Sequence, residues 1–208
     1  MIIAVDGPSA AGKGTLARGI ASKLGYHFLD TGSLYRMVGF LMLQAGHDLD
    51  DAGHAAALAR NLDVAAIRDE ELRNEQVAAA ASRISAYPEV RANLLGFQRD
   101  FAKRLPGAVL DGRDIGTVVC PDAGLKLFVT ASTEVRARRR FDELRAAGLK
   151  PDLAAVRDDI MTRDERDASR SVAPTMMADD AIMIDTSELT PDEVLKAVFE
   201  VVAELMAG

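Results

Sequence analysis

Ile2 to Val5 form an unbroken apolar run that leads directly into the stretch GPSAAGKGT (Gly7 to Thr15), after which Leu16, Ile20 and Leu24 recur every four residues. A short run with no polar face fits a strand covered on both sides, and a spacing of four marks one face of a helix. The pattern therefore predicts strand, glycine-rich loop and a helix over Lys13 to Leu24, stopped at Gly25. YHFLD (Tyr26 to Asp30) reads as a second strand, followed by a helix from about Ser33 to Gln44. From about Asp51 to Leu105 the chain is Ala-rich and helical in pattern (HAAALARNL, QVAAAASRI, VRANLLGFQRDF) with no strand. Pro88 predicts a break between two helices there. AVLD, ending at Asp111, and LKLFVTA (Leu125 to Ala131) are buried-strand patterns. Ser132 is placed to cap a helix that ends at Gly148. A polar, Arg/Asp-rich segment from Lys150 to about Pro174 precedes a last strand, AIMID (Ala181 to Asp185). Thr190-Pro-Asp-Glu193 then opens a final helix with an N-cap, a first-position proline and a capping-box glutamate.

Five strands separated by helices predict an α/β fold: a five-stranded parallel sheet, doubly wound, with helices on both faces. Ligands of such sheets bind beyond the carboxyl ends of the strands, which is where the loop after the first strand, Asp30 and the run Asp111 to Asp114 all fall. At 208 residues the chain is sized for one substantial core. We therefore expect a single domain over 1–208 (core 1–30, 106–147 and 173–208), with lobes inserted at about 31–105 and about 148–172. The second insert is polar enough that little apolar burial is expected of it.

Composition narrows the function classes. A net charge of −7 argues against a protein that grips a nucleic acid along its backbone. No stretch approaches the length of a membrane span. MIIAVDG lacks the features of a signal peptide, and the single cysteine, Cys120, has no partner for a disulfide. A soluble, cytoplasmic protein is expected. Of its 19 arginines, nine lie between Arg136 and Arg170, and arginine suits planar, two-point recognition of phosphate. His27, His47 and His54 show no metal-ligand spacing with Cys120 and read as structural or surface residues.

GPSAAGKGT nearly spells the phosphate-binding pattern G-x-x-x-x-G-K-[ST]. In such a loop backbone N–H groups turn inward on anionic oxygens, the following helix offers its positive end, and the lysine reaches the β- and γ-phosphates. Gly7, Pro8, Ser9, Ala10, Ala11, Gly12, Lys13, Gly14 and Thr15 are thus expected to hold nucleotide phosphates, which the resemblance drawn below implies to be those of ATP. Gly14 stands where a Mg²⁺-binding hydroxyl follows the lysine in switch GTPases, and only Thr15 remains nearby. We expect Mg²⁺ to be held mainly by the nucleotide phosphates and water, with Thr15 and Asp111 close by and no direct side-chain ligand. That points to a small-molecule kinase. No N-K-x-D stretch for reading guanine is present. Asp111, Arg113 and Asp114, in DGRD, put a second charged cluster at the mouth of the sheet, which a simple nucleotide switch does not need.

Five blocks carry a resemblance: GPSAAGKGT, DTGSLYR (Asp30 to Arg36), LDGRDIGTVVCPDA (Leu110 to Ala123), LKLFVTASTEVRARRR (Leu125 to Arg140) and RDERDASRSVAP (Arg163 to Pro174). In this order, over nearly the whole chain, they resemble the bacterial cytidylate kinases, a branch of the nucleoside monophosphate kinases. The resemblance implies a P-loop kinase fold, with a helical acceptor-binding insert and a lid, and MgATP-dependent phosphoryl transfer to CMP and dCMP. Lys13, Arg113, Arg136 and Arg163 would form the catalytic set, with Arg139 and Arg140 also near the transferring group. Thr31, Tyr35, Arg36, Ser82, Arg91, Asp111, Arg113, Asp114, Arg163, Asp167 and Arg170 would line the acceptor site. Within that set, Arg36 and Arg113 would hold the acceptor phosphate, and Ser82, Arg91 and Asp114 would read cytosine. A monomer is expected, with a kinase for another small acceptor, or a non-catalytic nucleotide switch, as the alternatives. Two departures stand out: Ala10 replaces a glycine of many relatives, and AAIRDEELRNEQ, between Val64 and Val77, replaces a longer, strand-rich excursion.

Overall fold

The computed structural model describes residues 1–67, 71, 72 and 74–207, with the backbone alone over 204–207. Strands β1 (Ile2–Asp6), β2 (His27–Asp30), β3 (Ala108–Asp111), β4 (Leu125–Thr130) and β5 (Ile182–Asp185) form one parallel sheet ordered β2-β3-β1-β4-β5. Helix α1 (Lys13–Leu24) follows β1, α6 (Thr133–Ala146) follows β4, and α8 (Pro191–Ala207) closes the chain. Alternate strand residues enter opposite cores, as the two-residue period of a strand requires. On one face Ile3, Val5, Val109, Leu127 and Val129 meet Leu16 and Ile20 of α1 and Val194, Val198 and Val202 of α8. On the other, Ala4, Leu29 and Leu110 meet Phe101, Ile115 and Val119. In this register Asp30 lies beside Asp111, and Asp111 beside Val5, so the carboxyl ends of β1, β2 and β3 open on one common edge. Among the described residues no helix is long and apolar enough to cross a membrane.

The insert after β2 holds α2 (Thr31–Gln44), α3 (Ala52–Arg60), α4 (Glu75–Ile84) and α5 (Pro88–Ala102). Pro88 occupies the first turn of α5, where its missing N–H costs nothing. The insert is not an excursion from a single core. Leu34, Val38 and Met42 of α2 pack with Ala55, Leu72, Val77, Ile84, Val90 and Leu94 into a core of its own, because each of these amphipathic helices has an apolar stripe to cover. The expectation of a trimmed excursion at 64–77 falls partly on 68–70 and 73, which lie outside the described residues.

The insert after α6 also departs from expectation. Most of it is a regular helix, α7 (Leu153–Ala168), capped by Asp152. Val156 and Ile160 are buried with Ala137 of α6, and Leu153, Leu144 and Ala10 pack against them. Three apolar residues at helical spacing form a stripe too narrow to register in a composition dominated by Arg and Asp.

Candidate active site

The phosphate-type loop begins at Gly7, whose φ is +139° and whose added Cβ would lie 2.0 Å from the carbonyl oxygen of Val129. That oxygen belongs to β4 and cannot move away, so the first glycine is required by a neighbouring strand as well as by its dihedral angle. Gly7→Ala is expected to lower stability by more than about 3 kcal/mol, measured by urea unfolding. A loss below about 1 kcal/mol would show that the loop relaxes freely around this contact. Ala10 is left-handed, with φ +57°. A non-glycine residue gives up roughly 1 kcal/mol to sit there, and its methyl group packs against the small α6–α7 core as compensation.

Lys13 is buried, and its Nζ donates to Pro8 O at 2.7 Å. Burial, aided by the nearby Arg113 charge, holds its pKa below the usual lysine value, while Asp111, Asp6 and Asp30 oppose the shift. Asp111 is pushed the other way by burial, with Lys13 pulling it back. Its backbone oxygen accepts from Thr31 Oγ1 at 2.8 Å. A Cβ on Gly14 would come within 3.3 Å of Asp111 Oδ2. The missing hydroxyl position therefore faces the carboxylate that closes β3, and a serine there would crowd it.

Asp6, at the end of β1, accepts from Ile115 N at 2.8 Å and Gly116 N at 2.7 Å. Burial raises its pKa to about 6. These bonds hang a single π-helical turn, Ile115–Val119, from the strand that carries the phosphate loop. Immediately before that turn stand Arg113 and Asp114.

Beyond the loop the charged residues join into one network. Asp114 Oδ2 accepts from Arg91 Nη2 at 2.5 Å, and both side chains are buried. Arg91 Nη1 donates to Ser85 O at 3.1 Å, and its guanidinium lies 5.4 Å from the centre of the Tyr35 ring. Burial pushes the Tyr35 hydroxyl up to about 12. Ser85 Oγ accepts from Arg170 Nη2 at 2.9 Å; Arg170 also pairs with Asp167, which accepts from Arg113 Nε at 3.1 Å. Arg166 Nη1 reaches Ser82 Oγ at 2.7 Å. Arg36 stands apart, paired with Asp30 at 2.6 Å. Arg163 lies 3.8 Å from Asp159 and lines a cavity between α4 and α7, and burial holds its pKa below the usual arginine value.

The basic helix α6 is more engaged than the sequence suggests. Arg136 donates to Ala131 O, Ser9 O, Thr133 Oγ1 and Asp164 Oδ2, and so ties the loop to α7. Arg139 donates to Thr186, and Arg140 pairs with Glu75 and Glu143. Among the described residues, five buried side-chain atoms have no hydrogen-bond partner: Asp164 Oδ1, Thr117 Oγ1, Thr175 Oγ1 and, as donors within the loop and the network, Ser9 Oγ and Arg170 Nε. The last two suit a ligand with oxygen atoms to share.

Sequence reasoning missed Asp6, Ser85, Asp164, Arg166 and Thr186. Ser85 and Arg166 carried a weak signal, each three residues beyond a candidate, Ser82 or Arg163, and so on the same helical side. Asp164 lay within the block RDERDASRSVAP without a role of its own, and Asp6 and Thr186 had no signal.

A lysine drawn into a glycine-rich loop at the edge of a five-stranded parallel sheet defines the fold of a P-loop kinase. The same fold is seen in the crystal structure of a gluconokinase from Sinorhizobium meliloti 1021, at 16% identity and a TM-score of 0.53 over 98% of this chain and 91% of that one. More narrowly, the family model for cytidylate kinase matches residues 3–204, and the chain belongs to that family. It is 51% identical over 208 residues to a cytidylate kinase of Rhodopseudomonas palustris (strain ATCC BAA-98 / CGA009), covering 100% of this chain and 98% of that protein. It is 52% identical over 207 residues to a cytidylate kinase of Rhodospirillum rubrum, covering 98% of this chain and 97% of that protein.

Proposed function

We propose that the protein transfers the γ-phosphoryl group of ATP to CMP or dCMP, giving CDP or dCDP, and that it does so in the cytoplasm. The observation that carries this reading is the continuous network Asp114, Arg91, Ser85, Arg170, Asp167, Arg113 beside the phosphate loop. A switch protein has no use for a second anion site, whereas a kinase needs one to hold its acceptor.

In this reading the loop Gly7–Thr15 and Lys13 hold the ATP phosphates. Arg36 and Arg113 exchange Asp30 and Asp167 for the acceptor phosphate, and Arg163 approaches from α7 and Arg170 from just beyond its end. Thr31 and Tyr35 line the acceptor pocket, while Ser82, Arg91 and Asp114 face the cytosine. Phosphoryl transfer depends on alignment and positive charge more than on a dedicated base, and this set supplies both. Mg²⁺ fits the site as a passenger of the nucleotide: Asp111 and Thr15 offer hard oxygen atoms at the loop, and among the described residues no cluster of three His, Cys, Asp or Glu side chains could cage an ion. When bound, it would neutralise charge on the transferring phosphates.

A coupled assay of ADP release, with MgATP and CMP, dCMP, UMP, AMP or GMP, tests the assignment. Turnover with CMP and dCMP well above the other three is expected. Faster turnover with AMP, GMP or UMP would assign the acceptor site to another nucleotide.

A further inference from the structure

The inward-facing N–H groups of a phosphate loop keep their aim only while its carbonyls stay turned outward. Three of those carbonyls are held by side chains. Pro8 O accepts from Lys13 and Ser9 O from Arg136, both cations that phosphate oxygens can also attract. Ala11 O is held differently. It accepts from Thr186 Oγ1 at 3.0 Å, from a neutral, buried residue at the end of β5, 175 positions along the chain.

The direction of that hydroxyl is determined by its surroundings. Arg139 Nη1 donates to Thr186 Oγ1 at 2.9 Å, and Nη2 donates to Thr186 O at 2.7 Å. A hydroxyl that accepts from a guanidinium has one hydrogen left to give. The other acceptor in reach, Thr130 O at 3.1 Å, already takes the backbone N–H of Thr186 at 2.8 Å. A carbonyl oxygen can take two donors, so the choice rests on the shorter contact, to Ala11 O, which does not compete with the Thr186 N–H; the hydrogen is assigned there. Ala11 itself is fully buried, between two residues with positive φ, Ala10 and Gly12. The neutral tether thus grips the loop between its two left-handed positions.

We propose that Thr186 is a positioning residue for the phosphate loop and that Arg139 aims its hydroxyl. The proposal rests on the reading that this loop holds the triphosphate, and is independent of which acceptor is used. Through Arg139 the loop is also joined to α6, which packs against α7.

Thr186→Val removes the hydroxyl at nearly constant volume and leaves Ala11 O without its donor. The dissociation constant for a non-hydrolysable ATP analogue, measured by titration calorimetry, should rise about tenfold, and the KM for ATP with it. The KM for CMP should stay within about twofold, and Thr186→Ser should restore both donor-side values. A purely structural residue would weaken both substrates together and show no rescue by serine. An unchanged analogue affinity in folded Thr186→Val, an equal rise in the KM for CMP, or a serine variant as weak as valine would overturn the proposal. Where the valine variant does not fold, Arg139→Leu carries the test: a smaller loss confined to the ATP side is expected, and equal loss on both sides refutes it. Analogue binding by the wild type, with no turnover of CMP, would refute the acceptor assignment and leave the tether standing.

Discussion

Lys13→Ala is expected to lower kcat about a thousandfold while circular dichroism and urea unfolding stay close to wild type. Lys13 touches the loop through a single hydrogen bond to Pro8 O, and burial works against its charge. Replacing it thus removes an unfavourably buried cation, which limits the loss of stability. In the proposed reading the loss in catalysis is another matter, because the arginines near Lys13 are already engaged and would not replace its charge at the transferring group. Arg136 is committed to Ser9 and Asp164, Arg139 to Thr186 and Arg140 to Glu75 and Glu143. Arg113 and Arg163 are engaged in turn, with Asp167 and Asp159. Steady-state kinetics with MgATP and CMP, alongside circular dichroism, measure the effect. Activity within about tenfold of wild type in the folded variant would remove Lys13 from the catalytic set.

The second large effect is expected at Asp114. Cytosine carries an amino donor where uracil carries a carbonyl acceptor, so a carboxylate aimed at that edge favours one base and repels the other. Asp114 also serves Arg91: its Oδ2 is committed to Nη2 of that arginine, inside the protein. Base reading would fall to the other oxygen, and one substitution separates the two roles. Asp114→Asn retains an acceptor for Arg91 and gains an amide that can donate to uracil. Base reading predicts that kcat/KM for CMP falls more than about a hundredfold while that for UMP falls far less, so their ratio collapses. A purely structural partner of Arg91 predicts equal losses, since a loosened Arg91 would disturb Tyr35 and Ser85 whichever base is bound. An unchanged CMP-to-UMP ratio in the folded variant would refute base reading by Asp114.

Much of this molecule could be read from its sequence because the signals involved are local. Apolar runs and four-residue spacings located all five strands and the helices beside the sheet, since strand and helix periods are set within a few residues. The loop at Gly7–Thr15 was legible for a similar reason: its glycines and lysine must be contiguous to do their work. The separate core of α2 to α5 was not legible, because amphipathic helices show that they have partners without showing which. Nor was the α6–α7 contact, whose stripe of Leu153, Val156 and Ile160 is outnumbered by charge.

The candidate site divides along the same line. Residue types and local spacing, with the family resemblance, singled out Lys13, Asp111, Arg113, Asp114, Arg163 and Arg170. Their partners were decided by tertiary structure alone. Arg91 meets Asp114 across 23 positions, Arg113 meets Asp167 across 54, Arg166 meets Ser82 across 84 and Thr186 meets Ala11 across 175. Side-chain charges and hydroxyls carry no periodicity that reveals a distant mate, and a long arginine can satisfy several acceptors equally well. Which acceptor it takes depends on where the strand ends, helix termini and turns come to rest, and that placement is set by the burial of apolar side chains elsewhere in the chain.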